Sequence, residues 1–463
     1  MHHGEPVDTP AHVQSARDAV DWPAVGDVTV QLLADYLQVD TTNPPGHEQD
    51  GVDWLAGHLD EAGIPWESVE HAPGRASLIA RVDSGSEAPA LCLMHHIDVA
   101  GYEIDQWPEE SGPLSGAIVD GELWGRGALD MKGMGALELM TLVLLKKHRV
   151  PLDRDVVMLA VADEEVSNTG AMDLVELWDE KIRCGTMLNE GGFGVTDALF
   201  DGQAVHAIST AEKGVLWLEM RAEGRAGHGS TPYPGEAPDR LLEAMTAIEK
   251  KVHVRPRIDD SLYDLLHAVG EQKGGVTGSI LKSRLLTSVL VKPKLKATPT
   301  TNATMLDTVH LTGMMGAEAP NVVPSSVRAQ YDCRLRPGTT PEDHLARLED
   351  AVEGIEGISF EIVHQMASNG SPADSDLFRT IGHYAVEDRP YAAAGPLLAV
   401  GFTDSLLVRP IGVEAYGYIP FEIAPEILET MHGHRERVPV DQIPEGLRRL
   451  YSIVVHHAGT SSP

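Results

Sequence analysis

The sequence predicts an α/β fold in which a mostly parallel sheet between helices is interrupted by an inserted α+β domain. Three observations carry that expectation. The chain has 463 residues, enough for two domains with separate cores. Its first part alternates short apolar runs with longer helical periodicities, the pattern of a parallel sheet covered by helices. From about Glu212 the texture changes to strand-like alternation around a Gly/His/Ser/Pro-rich loop, and it changes back near Asp376.

Residues 1 to about 26 are polar and Pro-containing and read as a loosely packed arm. Val30, Leu32, Leu33 and Leu37 then share one face of a helix. Strands are predicted at 77–82, 90–97 and 155–162, and a helix at 132–147. The second texture predicts strands at 215–220, 308–314, 326–335 and 358–364, with helices at 238–252 and 341–352. A Lys/Thr/Pro-rich excursion runs to about Thr301. The expected division is residues 1–210 with 366–463 as the catalytic domain and 211–365 as the insert.

The balance of 36 basic against 70 acidic residues, net −34, argues against nucleic acid or an anionic membrane as a partner. Cys92, Cys184 and Cys333 lie far apart with no CxxC spacing, so three separate buried thiols are expected rather than a disulfide framework. The N-terminus lacks a basic stretch followed by an apolar one, and no run of about 18 apolar residues occurs. The expected location is cytoplasmic.

Chemistry concentrates where predicted strands end, which is where open α/β sheets build their sites. His96-Ile97-Asp98 puts two side chains on one face of a strand end, so Asp98 can orient the His96 ring while its other nitrogen binds a metal. His95 competes for that role, but only His96 has an aspartate two residues on. Asp130 stands in G-R-G-A-L-D-M-K-G, where glycines shape the backbone ahead of a helix. It could bridge two cations, although taken alone the helix-cap reading is the stronger. Asp163-Glu164-Glu165 ends an apolar strand, so Glu165 can ligate while Glu164 remains available to take a proton from water. Glu190 precedes two glycines, and His432 sits late in the chain in M-H-G-H. Together His96, Asp130, Glu165, Glu190 and His432 form a mixed His/carboxylate ligand set suited to Zn²⁺.

These blocks occur in an order that resembles the dinuclear zinc aminoacylases and carboxypeptidases. That family includes glutamate carboxypeptidase, acetylornithine deacetylase, succinyl-diaminopimelate desuccinylase and N-fatty-acyl-amino-acid hydrolases. The likeness covers roughly residues 28–456 through M-H-H-I-D-V, D-G-E-L-W-G-R-G-A-L-D-M-K-G, A-D-E-E, L-N-E-G-G, G-H-G-S-T-P, N-V-V-P, D-C-R-L-R-P, G-F-T-D-S and M-H-G-H-R-E-R-V. The segment before N-V-V-P looks closest to the fatty-acyl amino-acid hydrolase and vacuolar carboxypeptidase branch.

The resemblance implies a zinc-exopeptidase-like catalytic domain with a lid or dimerisation insert. It implies two Zn²⁺, replaceable by Co²⁺ or Mn²⁺, with Asp130 bridging, His96 and Glu190 on one ion, and Glu165 and His432 on the other. Glu164 would be the general base, and a cis Asp130-Met131 peptide is expected. His228 resembles an oxyanion-stabilising histidine, in dimers often from the partner chain; Arg334 resembles a substrate-carboxylate ligand and Asn321 a substrate contact. Departures at Val99-Ala100-Gly101, Leu406 and Arg435 bear on substrate choice. The expected reaction is hydrolysis of N-acyl amino acids, with dipeptide or C-terminal peptide cleavage as the alternative, and a homodimer through the insert is an option.

Overall fold

The computed structural model describes residues 9–252, 256–316 and 319–460. In chain order the first sheet receives β1 (Trp66–Ala72), β2 (Arg75–Val82), β3 (Ala90–His96), β4 (Val156–Val161), β5 (Cys184–Asn189), β6 (Gly194–Thr196) and β7 (Ala204–Glu212). A second sheet follows with β8 (Gly214–Glu223), β9 (Thr308–Met315), β10 (Ser326–Leu335) and β11 (Ile358–Met366). The chain then returns to the first sheet with β12 (Ala392–Ala399), β13 (Glu414–Gly417) and β14 (Glu422–Ile423).

The first sheet has ten strands in the order β1-β2-β4-β3-β5-β13-β7-β6-β14, with β12 pairing β7. Its centre, β4-β3-β5-β13, is parallel, whereas β1, β2 and the β13-β7-β6 run pair antiparallel. Every residue of β3 and β4 is buried, as strands covered on both faces require. One face packs against the helices Trp22–Tyr36, Lys132–His148 and Gln442–Ala458 through residues such as Leu33, Leu137 and Leu447. The other packs Met94 and Val157 against Leu174 of the helix Thr169–Glu176.

The second sheet, β9-β10-β8-β11, is antiparallel throughout. Leu216, Leu218 and Met220 of β8 turn inward against the helices Ala237–Lys251 and Pro341–Ala351, while Trp217 between them stays exposed. That alternation is the mark of a sheet with one covered face. The Lys/Thr/Pro-rich excursion folds as a series of helices. Leu265, Leu266 and Val269 of the helix Asp260–Lys273 sit at helical spacing and pack on Val205 of β7 and Ala393 of β12, so this stretch leans on the first sheet.

Two expectations are corrected. The N-terminal arm is packed: Ala11–Asp18 is helical, Val13 and Arg17 are buried, and residues 1–8 lie outside the described residues. Arg17 donates to Ser452 Oγ at 2.6 Å and pairs with Glu387, which fastens the arm to the C-terminal helix. The cysteines are not all separate either. β3 and β5 are neighbours, and Cys92 and Cys184 are joined as a disulfide with Cα atoms 5.8 Å apart, leaving Cys333 as a buried thiol. A separation of 92 residues in sequence hid a pairing that parallel strand adjacency creates. Among the described residues no helix is long and apolar enough to cross a membrane.

Thiol titration of the denatured, unreduced chain tests the bridge. It is expected to find only the Cys333 thiol; reactive Cys92 and Cys184 thiols would contradict the pairing.

Candidate metal centre

His96 is the last residue of β3, and its ring is fixed from both sides. Its Nδ1 lies 2.8 Å from the main-chain carbonyl of Asp98, and its Nε2 lies 3.0 Å from Asp130 Oδ1. The expected side-chain contact is therefore replaced by a backbone one, since the Asp98 carboxylate stands 3.7 Å from the ring. That carboxylate serves the neighbouring loop instead, accepting the N–H groups of Glu164 and Glu165 at 3.1 Å each and Asn43 Nδ2 at 2.8 Å. The structure thus ties the H-x-D strand end to the Asp-Glu-Glu loop. His95 points elsewhere, its Nδ1 2.7 Å from buried Glu138, and burial lowers its pKa to about 3.

Asp130 is delivered by a loop wrapped around one buried carboxylate. Oε1 of Glu436 accepts from the backbone N–H of Gly127, Leu129 and Asp130 at 2.9–3.1 Å, while Oε2 takes Arg126 at 2.7 Å. Arg126 also donates to the carbonyl of His432 at 3.1 Å, so one ion pair holds two of the ligand loops. Gly127 has φ +91°, and a Cβ there would come within 2.8 Å of Val99, so the loop needs glycine at this point. The Asp130-Met131 peptide is cis, as expected.

Glu164 and Glu165 follow β4, and Glu190 follows β5. The carbonyl of Glu190 lies where a side chain on Gly417 would stand, 1.9 Å from its Cβ position, so the β13 strand passes this loop only as glycine. His432 adopts φ +57°, a left-handed conformation that is costly for a non-glycine residue and common where side chains are aimed for function. Its Nε2 lies 3.0 Å from Asp130 Oδ2 and 3.3 Å from Glu165 Oε1. Asp130 therefore reaches His96 with one oxygen and His432 with the other. The sets His96/Asp130/Glu165 and His96/Glu164/Glu190 each bring one ligand atom per residue within 4.8 Å of one another.

The charges in this cluster are far from their ordinary states. Burial opposes the Asp130 charge, but hydrogen bonds from His432 and His96 hold its carboxyl well below the usual range. Burial and mutual repulsion with nearby carboxylates push Glu164 and Glu190 well above theirs. His432 is raised to about 10 by Asp130 and Glu165, and His96 is raised by Asp130 and Glu190 against the cost of burial. Among the described residues no Arg or Lys pairs with Asp130, Glu164, Glu165 or Glu190. Carboxylates crowded together with two imidazoles and no arginine or lysine fit divalent metal ions.

A second acidic group, Glu48, Asp98 and Asp163, lies next to the first but is already satisfied. Arg75 pairs with Glu48 and reaches Asp163 at 2.9 Å, and Asn43 Nδ2 bridges Asp163 and Asp98. The sequence reading missed Arg126, Glu436, Asn43, Arg75 and Glu48. Arg126 and Glu436 stand inside quoted motifs, but nothing in their spacing showed that they pair. Asp404, in T-D-S, is likewise buried beside the site, accepting Asn168 Nδ2 at 2.8 Å, with its pKa raised to about 7 by burial. Leu406 is buried, and its carbonyl accepts Asn369.

His228, Asn321 and Arg334 are not part of this cluster. His228 is exposed, its Nδ1 2.8 Å from Ser230 Oγ, and its two-residue strand pairs with Val322-Val323, where Gly229 N–H donates to the Asn321 carbonyl at 2.9 Å. His228 and Asn321 thus share one hairpin-like contact. Arg334 lies on β10 with its guanidinium on Asp332 at 2.8 Å.

Loading zinc at neutral pH is expected to release more than one proton per chain, because the raised histidines must become neutral to bind a cation. Calorimetry in two buffers of different ionisation enthalpy counts those protons; release of none would contradict the site.

With this geometry in hand, comparison with known proteins is informative. Aminoacylase-1 of Sus scrofa is 26% identical over 419 residues, covering 89% of this chain and 90% of its own. The N-fatty-acyl-amino acid synthase/hydrolase PM20D1 of Homo sapiens is 24% identical over 372 residues, covering 78% and 73%. Among solved structures, the M20 family metallo-carboxypeptidase Sso-CP2 of Sulfolobus solfataricus superposes with TM-score 0.69 at 16% identity, covering 92% of this chain and 98% of its own. Human carnosine dipeptidase 1 gives 0.65 at 15%, covering 96% and 98%. Residues 92–456 match peptidase family M20/M25/M40, a span that contains every strand-end ligand described above, and the chain belongs to that family.

Proposed function

We propose that this chain hydrolyses the amide bond of N-acyl amino acids, releasing a free amino acid and a carboxylic acid. The observation that carries the reading is the place of Glu164, a half-buried carboxylate grouped with His96 and Glu190 among the candidate ligands rather than outside them. In this reading His96, Asp130 and Glu190 hold one zinc ion, and Asp130, Glu165 and His432 the other; Co²⁺ or Mn²⁺ would suit the same donors.

The bound ions would supply carbonyl polarisation and a water of lowered pKa. Glu164 takes the proton from the attacking water and returns it to the leaving nitrogen as the C–N bond breaks. Asp98 contributes by holding the backbone on which Glu164 and Glu165 sit. His228 would donate to the carbonyl oxygen as it gains charge, Arg334 would bind the α-carboxylate, and Asn321 would contact the substrate. These three belong to the proposed 211–365 unit and the ligands to the proposed 1–210 and 366–463 unit, so the substrate is gripped from both, in a monomer or across a homodimer. The similarity to aminoacylase-1 over nearly the whole chain supports acylated amino acids over dipeptides.

The zinc-loaded protein, given matched N-acyl amino acids, their carboxyl-blocked analogues and dipeptides, is expected to release amino acid fastest from free-carboxylate N-acyl substrates. A preference for dipeptides would replace this reading with a peptidase one. Glu164→Ala is expected to lose turnover by a factor of at least about 10² while keeping its zinc; retained turnover would remove Glu164 as the base.

A further inference from the structure

The chain carries nearly twice as many acidic as basic residues, yet residues 272–306 contain six of its 36 basic residues and none of its 70 acidic ones. Charge averaged over the molecule conceals this reversal. From Arg284 to Ala297 the backbone makes consecutive helical turns. Thr287, Val291 and Leu295 face inward, Val291 and Leu295 onto the cluster that covers β7 and β12. On the outer side Leu285, Leu286, Val289 and Leu290 face solvent, Leu285 at 73% and Val289 at 62% exposure. Lys282, Lys294 and Lys296 are exposed around them, and Lys292 is half-buried. Arg284 is committed to Asp260 and to the Tyr263 ring, so the lysines carry the charge offered to a partner.

A helix apolar on both its inner and outer faces is poorly suited to water on one of them. Exposed branched side chains ringed by lysines, with no acid in the segment, are the composition of an element that lies in the headgroup region of an anionic bilayer. We propose that the turns Arg284–Ala297 form a docking surface for an anionic lipid bilayer. This departs from the expectation of no membrane partner, which rested on total charge. Charges more than about 8 Å from a surface are largely screened at physiological salt, so the local patch, not the sum of −34, governs contact. A second copy of the chain is the weaker occupant, because a two-fold contact through this patch would set lysines against lysines. The inference stands independently of the proposed reaction.

The full chain is tested by flotation with phosphatidylcholine vesicles, with and without about one-third phosphatidylglycerol. It is expected to float with the anionic vesicles and to remain behind with the neutral ones. The variants Leu285→Ser with Val289→Ser, and Lys292→Glu with Lys294→Glu and Lys296→Glu, are each expected to lower the bound fraction by about fivefold or more. Their hydrolysis of soluble substrate and their thermal transitions should stay unchanged. Equal binding to neutral vesicles, undiminished binding by the charge-reversed variant, or no binding by the parent chain would overturn the proposal. So would sedimentation of the parent as a dimer that Leu285→Ser with Val289→Ser converts to monomer.

Discussion

Negative charge gathered at the ends of buried strands is the constraint to which the rest of this molecule answers. Removing a carboxylate from water is costly unless a partner compensates it, and breaking a buried ion pair by deleting one member costs about 3–5 kcal/mol. The chain meets that cost in two different ways. The outer carboxylates have resident arginines: Glu436 has Arg126, Glu48 and Asp163 have Arg75, and Glu212 has Arg409. The inner ones, Asp130, Glu164, Glu165 and Glu190, pair with no arginine or lysine among the described residues and are faced by the imidazoles of His96 and His432. A ring of satisfied carboxylates around an unsatisfied centre is what distinguishes a place for exchangeable cations from an acidic surface.

The outer ring also does the positioning. Arg126 and Glu436 join the Asp130 loop to the His432 loop across a sequence separation of 310 residues. Asn43 links Asp163 to Asp98, and Asp98 in turn holds the peptide N–H groups of Glu164 and Glu165. Of the candidate ligands, His96, Glu165 and Glu190 stand where parallel strands end, whereas Asp130 and His432 stand on loops next to helices, and buried charge networks finish the aim. Such networks lock side-chain direction more tightly than apolar contact does, because each member has a fixed donor or acceptor to satisfy.

Much of this was legible in the sequence where chemistry and periodicity coincide. The strands ending at His96 and Val161, the helix after Met131 and the four strands of the second sheet follow from local pattern. Each of the candidate ligands, taken singly, had a structural use at least as common; they read as a set only together and through the family resemblance, and the fold does bring His96, Asp130, Glu164, Glu165 and Glu190 together. Partnerships were not. Which oxygen of Asp98 meets His96, which carboxylate Arg126 serves, and that Cys92 lies beside Cys184 all depend on strand adjacency between distant segments. The excursion before Thr301 gave no structural reading for another reason: its lysines, threonines and prolines masked apolar residues at helical spacing, and its charge vanished into the total.

In the proposed site two cations share Asp130 between the His96 and His432 sides. Anomalous diffraction at the zinc edge from crystals of the zinc-loaded protein tests it most directly. Two maxima are expected, one among Asp130, His96 and Glu190 and one among Asp130, His432 and Glu165. A single maximum, or one beside Arg75 among Glu48, Asp98 and Asp163, would contradict the account.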